Sequence, residues 1–296
     1  MYTIFDEQHK GFEELPRNGS LINFSLLRDL KTEPVIFRSF SIKYVLDGCE
    51  RYSVNGNTFN VTNGQYLLAN SFSQGSVQID SERLVKGICI DVAPTILSEV
   101  VANFLRPDTL TPDLDLDQFF TSPDFFENCY PAEKTEVGLF LGKLGTELIK
   151  SPFEKHEFSQ EFYFNLAEKI VIDHVPINRQ LQSIQTVKTE TKKELLRRLM
   201  KGKAFMDHSF VLPISMELVA RESGLSEYHF FRLFKAVFLI SPHQYLIKKR
   251  LDMACVLLKK GNECISEIAL LCGYADVFSF SKVFKKHIGV APSVFV

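Results

Sequence analysis

Laid against itself at an offset of 50 residues, the last part of the chain repeats. Ser226-x-Tyr228-x-Phe230-x-Arg232-Leu233-Phe234-Lys235 falls on Asp276-x-Phe278-x-Phe280-x-Lys282-Val283-Phe284-Lys285, and Pro242 falls on Pro292. Upstream, Val219-Ala220 and Gly224 fall on Ile268-Ala269 and Gly273 at an offset of 49, so the second copy carries one extra residue. Only two copies are visible. A solenoid needs at least ~3, so these are two instances of one supersecondary unit rather than a stacked array.

Each copy reads as helix, short turn, helix. Ser215 and Ser266 are N-cap residue types ahead of MELVARES and EIALLC, which close at Gly224 and Gly273, residues able to adopt the left-handed conformation. Ser226 and Asp276 then cap the second helices. Two helices joined by a turn of about three to four residues containing Gly form the helix-turn-helix pattern. Between the copies, Ser241-Pro242 predicts a further helix running to about Lys260, with a stripe of Ile247, Leu251, Ala254 and Leu258. Its predicted length of roughly 28 Å at ~1.5 Å per residue approaches the ~34 Å between successive major-groove faces of a duplex.

The second helix of each copy has two faces. Phe230, Leu233, Phe234 and Val237 point inward in the first, as do Phe280, Val283 and Phe284 in the second. That leaves Tyr228, Phe231, Arg232 and Lys235 outward in one, and Phe278, Ser279, Ser281, Lys282 and Lys285 outward in the other. Both outward faces repeat aromatic, basic, basic at i, i+4 and i+7. Arg and Lys donate to guanine edges or phosphate, Ser to either, and an exposed ring meets a thymine methyl. Lys286 comes late in its helix and is expected to meet phosphate. Charge agrees with a polyanion partner. From Lys188 onward there are 18 Lys+Arg against 10 Asp+Glu, whereas the first 187 residues hold 16 against 26.

The remainder reads differently. Between Val35 and Val92, short runs rich in Val, Ile, Tyr and Phe (VIFRSF, SIKYVL, ERYSV, NTFNV, QYLLAN, SVQID, VKGICIDV) are broken by DGC, NGN, TNG and SQG, which predicts an antiparallel sandwich or barrel. Asn55-Gly56 predicts a tight hairpin turn. Helical spacing begins at Pro94, with Ile96, Leu97, Val100, Val101 and Phe104, and stops at Pro107. One later stripe is Val137, Phe140, Leu141, Leu144, Leu148 and Ile149. Another, Phe158, Phe162, Leu166 and Ile170, is a candidate dimer contact. Tyr44, Tyr52, Phe59 and Tyr66 are candidate ligand-lining residues. The polar run NRQLQSIQTVKTE places the domain boundary near residue 187, giving domains 1–187 and 188–296.

Other functions find little footing. Six cysteines occur singly with no C-x-x-C, and read as reduced, mostly buried small hydrophobes rather than disulfides or metal ligands. No His lies between Val35 and Val92, and His9, His156, His174, His208, His229, His243 and His287 show no ligand spacing, so neither a metal nor a cofactor is expected and a barrel enzyme has no residues to work with. His229, on a second helix, is expected to be a partly exposed structural residue. The apolar runs are far shorter than the ~20 residues needed to cross a bilayer. MYTIFDEQHKG lacks a basic segment followed by an apolar one, so a cytoplasmic protein without a membrane partner is expected.

The stretch from Leu225-Ser226 to Phe234-Lys235, the segment SPHQYLIKKRLDMACVLL and the run ISEIALLCGYADVFSFSKVFKKHIGVAPSVF resemble the double helix-turn-helix domain of AraC-type transcription regulators. The resemblance covers roughly residues 190 to 295, and the rest is similar only in order and composition to that family's cupin-like effector domain with dimerising helices. It implies an α+β two-domain chain: an N-terminal antiparallel, cupin-like β-barrel with packed or dimerising helices, and an all-α double helix-turn-helix. It also implies a non-enzymatic regulator of transcription whose second helices enter the major groove through the outward residues named above. The partners expected are double-stranded DNA, a small-molecule effector, RNA polymerase and a second copy of the chain. The alternatives are a ligand-independent DNA-binding protein whose first domain only dimerises or binds a protein, and a metal-free cupin enzyme. Two departures from the family pattern stand out. Leu239 occupies the place of Gly289, and no Arg follows Phe295.

Overall fold

The computed structural model describes residues 1–7, 19–37, 39–104, 116–186 and 188–295. His9, the helix stop at Pro107, the boundary residue 187 and Val296 lie outside the described residues. The chain divides into two compact units, Met1–Arg179 and Gln180–Val296.

Unit one is built on one sheet. Its strands are β1 (Tyr2–Asp6), β2 (Leu21–Ile36), β3 (Phe40–Asp47), β4 (Cys49–Val54), β5 (Asn57–Thr62), β6 (Gln65–Ala69), β7 (Gln74–Val92) and β8 (Asn128–Pro131). They run in the order β1-β2-β7-β3-β6-β8, with β4 pairing both β5 and β7. This path is open, so the barrel expected from the turn spacing is not confirmed. Nor is the sheet wholly antiparallel, because β1 runs parallel to β2. β7 joins the two runs read as separate strands. The polar Ser81-Glu82-Arg83 between them stays extended at the surface, where the β2–β7 register shifts between Leu27 and Asp29. At the β4–β5 turn, Asn55 and Gly56 take φ 48° and 79°, as a two-residue hairpin requires. The Asn55 side-chain amide donates to buried Glu127 at 2.8 Å, and its carbonyl accepts the Gln74 amide at 3.1 Å.

The pleat splits the aromatic residues between two faces. Tyr52 and Phe59 pair across β4–β5 and join Val45, Val54, Val61, Leu67 and Val77 in one apolar cluster. Tyr44 and Tyr66 pair across β3–β6; Tyr44 lies 3.4 Å from where a Cβ on Gly145 would stand. The four candidate ligand-lining residues are therefore all buried, two on each face of the sheet.

Helices α1 (Pro94–Phe104), α2 (Leu116–Thr121), α3 (Glu136–Lys150) and α4 (Gln160–Gln182) complete this part of the chain. Thr135 caps α3 through the Gly138 amide at 3.0 Å, and the Asp173 carboxylate of α4 takes the next two free donors, Glu136 and Val137, at 3.1 and 2.9 Å. Leu166 and Ile170 are fully buried. Phe158, just ahead of α4, and Phe162 are half-buried against each other, Phe140 and Tyr2. Two members of the expected dimer stripe are thus buried and two are half-exposed.

Unit two is helical: α5 (Thr189–Ser209), α6 (Met216–Glu222), α7 (Glu227–Phe238), α8 (Pro242–Lys260), α9 (Ile265–Leu271) and α10 (Val277–Ile288). The boundary expected near residue 187 falls within this unit, between α4 and α5. Among the described residues no helix is long and apolar enough to cross a membrane. No group of three His, Cys, Asp or Glu among them could hold a metal. The cysteines depart from expectation, since only Cys272 is buried. Cys49 begins a strand at a turn and Cys264 stands at a helix start, so both escape the core.

Candidate nucleic-acid interface

The two helix-turn-helix motifs are built with the same local chemistry. Ser215 caps α6 by accepting the Leu218 amide at 3.1 Å. At the other end, the Gly224 amide donates to Arg221 O and the Leu225 amide to Ala220 O, both at 3.0 Å. The equivalent pair recurs in α9, where Gly273 donates to Leu270 O and Tyr274 to Ala269 O, again at 3.0 Å. Gly224 and Gly273 take φ 68° and 79°, the left-handed turn that releases the chain from the first helix.

One cap differs from expectation. α9 starts after Cys264, the residue facing Ser215 at offset 49, not at Ser266, which lies within the first turn. A thiol is a poor capping acceptor, and Glu267 compensates: its carboxylate accepts the Cys264 amide at 2.8 Å, which holds it below the usual carboxylate range.

The second helices are capped as read. Ser226 accepts the His229 amide at 3.4 Å, and Asp276 the Ser279 amide at 2.7 Å. Phe230, Leu233, Phe234 and Val237 are buried, as are Phe280 and Phe284, while Val283 is half-buried. The rings pack in tilted pairs along each inner face, with centroids 5.3 Å apart for Phe230 and Phe234 and 5.5 Å for Phe280 and Phe284.

Burying those faces leaves the others outward. Tyr228 and Phe278, equivalent in the repeat, are 77% and 76% exposed, an unusual position for two large rings. Arg232, Lys235, Lys282, Lys285 and Lys286 are exposed. Phe231 is half-buried and leans on His243, with ring centroids 6.2 Å apart. Ser281 and His229 are half-buried. Ser279 is exposed, but its hydroxyl donates to Asp276 at 2.8 Å, so the cap already occupies it.

The frame behind these helices has its own fixings. Ser241 and Gln244 form a reciprocal capping box at the start of α8, at 3.2 and 3.1 Å. Asp207 on α5 accepts the Tyr245 hydroxyl at 2.5 Å, Lys249 at 3.0 Å and Lys203 at 3.2 Å. Burial pushes that carboxyl up, but Tyr245 and the two lysines outweigh it and hold it below the usual range. Arg250 donates to Phe210 O and Leu212 O at 2.7 and 2.9 Å, fastening α8 to the end of α5. Sequence periodicity missed this polar hub, because ionic pairs between distant helices leave no periodic signal.

A family model described as a helix-turn-helix domain matches residues 219–296. LumQ of Photobacterium leiognathi is 36% identical over 80 residues, which are 27% of this chain and 32% of LumQ, so the likeness spans about a third of that relative. The regulatory protein SoxS of Escherichia coli is 31% identical over 90 residues, 30% of this chain and 84% of SoxS. Among solved structures, a transcriptional regulator from Chromobacterium violaceum matches at 28% identity and TM-score 0.31, covering 33% of this chain and 88% of that one.

Proposed function

The chain belongs to the AraC-type family of transcription regulators, and from that premise we propose that it is a sequence-specific DNA-binding regulator placing α7 and α10 in neighbouring major grooves of one duplex. The observation that supports this reading most is the equivalence of the two exposed faces. Each presents an unburied aromatic ring followed by two cations at the same helical positions. A solvated surface has no use for a recurring exposed ring, whereas a groove offers thymine methyls to the ring and guanine edges or phosphates to the cations. In this reading Tyr228, Arg232, Lys235, Phe278, Lys282 and Lys285 face the bases, with Phe231, Ser279 and Ser281 at the margin and Lys286 on the backbone.

Unit one completes the proposal as a cupin-like regulatory half that dimerises the protein and responds to a small effector, with RNA polymerase as a further partner in transcription. Phe158 and Phe162 are the members of the aromatic stripe still open to a second copy. Selection from a randomised duplex library with the full chain tests the main reading. A retrieved motif with two information-rich blocks about one helical turn apart is expected. Recovery of unselected sequence would overturn it. Sedimentation of wild type and Phe162→Glu addresses the dimer, which is expected to weaken.

A further inference from the structure

Within unit one, an amine and a thiol are held in contact by strand register. Lys43 on β3 stands opposite Cys89 on β7 in the antiparallel ladder, and Lys43 Nζ donates to Cys89 Sγ at 2.5 Å. The register alone brings the two side chains to the same face of neighbouring strands, within hydrogen-bond reach of each other. The surroundings keep them there. Asp91 lies 3.9 Å from Cys89 Sγ and accepts the Ser41 hydroxyl. The Lys43 ammonium rides 5.6 Å from the Phe37 ring centroid. Buried Glu50, bonded to the Tyr52 hydroxyl at 2.6 Å, adds a second carboxylate to the cluster. Cys89 is half-buried.

We propose that Cys89 and Lys43 form a modification site, in which peroxide oxidises Cys89 and the Lys43 amine then closes a sulfur–nitrogen bond across β3 and β7. An oxidised cysteine is ordinarily resolved by a second thiol or by a backbone nitrogen. Here the group in contact is a lysine: burial pulls its ammonium down, but Cys89, Asp91 and Glu50 outweigh it and hold the charge, so the nitrogen becomes a nucleophile only after a proton leaves. In the first step sulfur attacks one peroxide oxygen: the S–O bond forms, the O–O bond breaks, and the departing hydroxide leaves with the thiol proton as water. Sulfur is oxidised by two electrons and peroxide reduced by two. In the second step the Lys43 ammonium first loses a proton, its nitrogen pair then attacks sulfur, the S–N bond forms and the S–O bond breaks. The ammonium gives up two protons, one leaving with the oxygen as water and the other passing to the Asp91 carboxylate or to solvent. Burial and the Asp91 charge push the Cys89 thiol up to about 12 while Lys43 opposes them, so the first step is slow and exposure must be long.

The test is peptide mass spectrometry on the full chain after prolonged peroxide treatment, alkylation of free thiols and cleavage after Lys and Arg. The expected product joins the segment beginning at Ser39 to the one beginning at Gly87, about 2 Da lighter than their sum, with Lys43 uncut, Cys49 alkylated and the link at Cys89. A thiol reductant should release it. In Lys43→Arg the joined species should vanish and Cys89 should advance to sulfinic acid. Wild type alone decides the matter. Sulfinic Cys89 with Lys43 still cleaved, or a link running through Cys49, would overturn the proposal.

Discussion

Leu239 and Gly289 end equivalent helices, α7 and α10, in the same left-handed conformation, at φ 59° and 93°. Leu239 is also 88% exposed, so its side chain contributes little packing in return for the strained backbone. A non-glycine residue in this conformation costs about 1–2 kcal/mol, and glycine gives back about 0.4–1 kcal/mol through the unfolded chain. Leu239→Gly should therefore stabilise unit two by about 0.5–1 kcal/mol, seen as a rise of a few degrees in Tm. A lower Tm would mean that the side chain packs after all.

Reading bases and holding the backbone should separate by mutation. Arg232 is exposed midway along α7, whereas Lys286 is in the last turn of α10. Arg232→Ala should cost about 1–3 kcal/mol at the selected site and relax preference at one or two positions. Lys286→Ala should weaken all duplexes alike and lower the salt slope by about one. Titrations at several salt concentrations, on cognate and scrambled duplexes, measure both.

The two turn glycines should respond unequally. At Gly224 an added Cβ meets nothing within 4 Å among the described residues, so Gly224→Ala faces only the left-handed backbone and should cost about 1 kcal/mol. At Gly273 the same atom would stand 2.8 Å from Val211 O. Gly273→Ala should cost at least about 2 kcal/mol, because backbone must move to make room. Equal losses in chemical denaturation would contradict this close approach.

Unit one carries its own acid sensitivity. His174 is fully buried beside Phe120, Phe125 and Tyr130, its Nδ1 bonded to Ile170 O at 2.8 Å and its Nε2 without a hydrogen-bond partner among the described residues. Burial lowers it to about 4, against 6.5 for an ordinary histidine, and the bond to Ile170 O only partly opposes the shift. The folded state thus favours the neutral ring. That stability is complete above pH 6.5 and is lost as pH falls toward 4, by about 3 kcal/mol if nothing rearranges. Imidazole NMR should show one ring still neutral at pH 5. A His174 resonance titrating near 6.5 would show that the ring is not held this way.

What the sequence disclosed depended on how local the cause was. Caps, turn glycines and the inner stripes of α7 and α10 are set by neighbours a few residues away, so the repeat carried them openly. A thiol is a weak cap, so Cys264 carries no capping signal of its own; its offset of 49 from Ser215 is the usable one. The sheet was harder. Which face Tyr44 or Tyr52 takes depends on pairing among distant strands, and the polar Ser81-Glu82-Arg83 looked like a break in what is one strand. Leu166 and Ile170 have the spacing of a contact stripe, and spacing alone does not distinguish a partner copy from the unit's own sheet and helices.

The extra residue in the second turn has a consequence for the proposed target. One residue, Leu225, separates Gly224 from the Ser226 cap, but two, Tyr274 and Ala275, separate Gly273 from Asp276. The motifs follow each other head to tail in one chain and are not interchangeable, so no twofold axis relates them. A duplex that accepts both helices in one direction does not accept them when reversed. In the proposed complex a single bound chain therefore points one way along its duplex, a polarity encoded in the monomer.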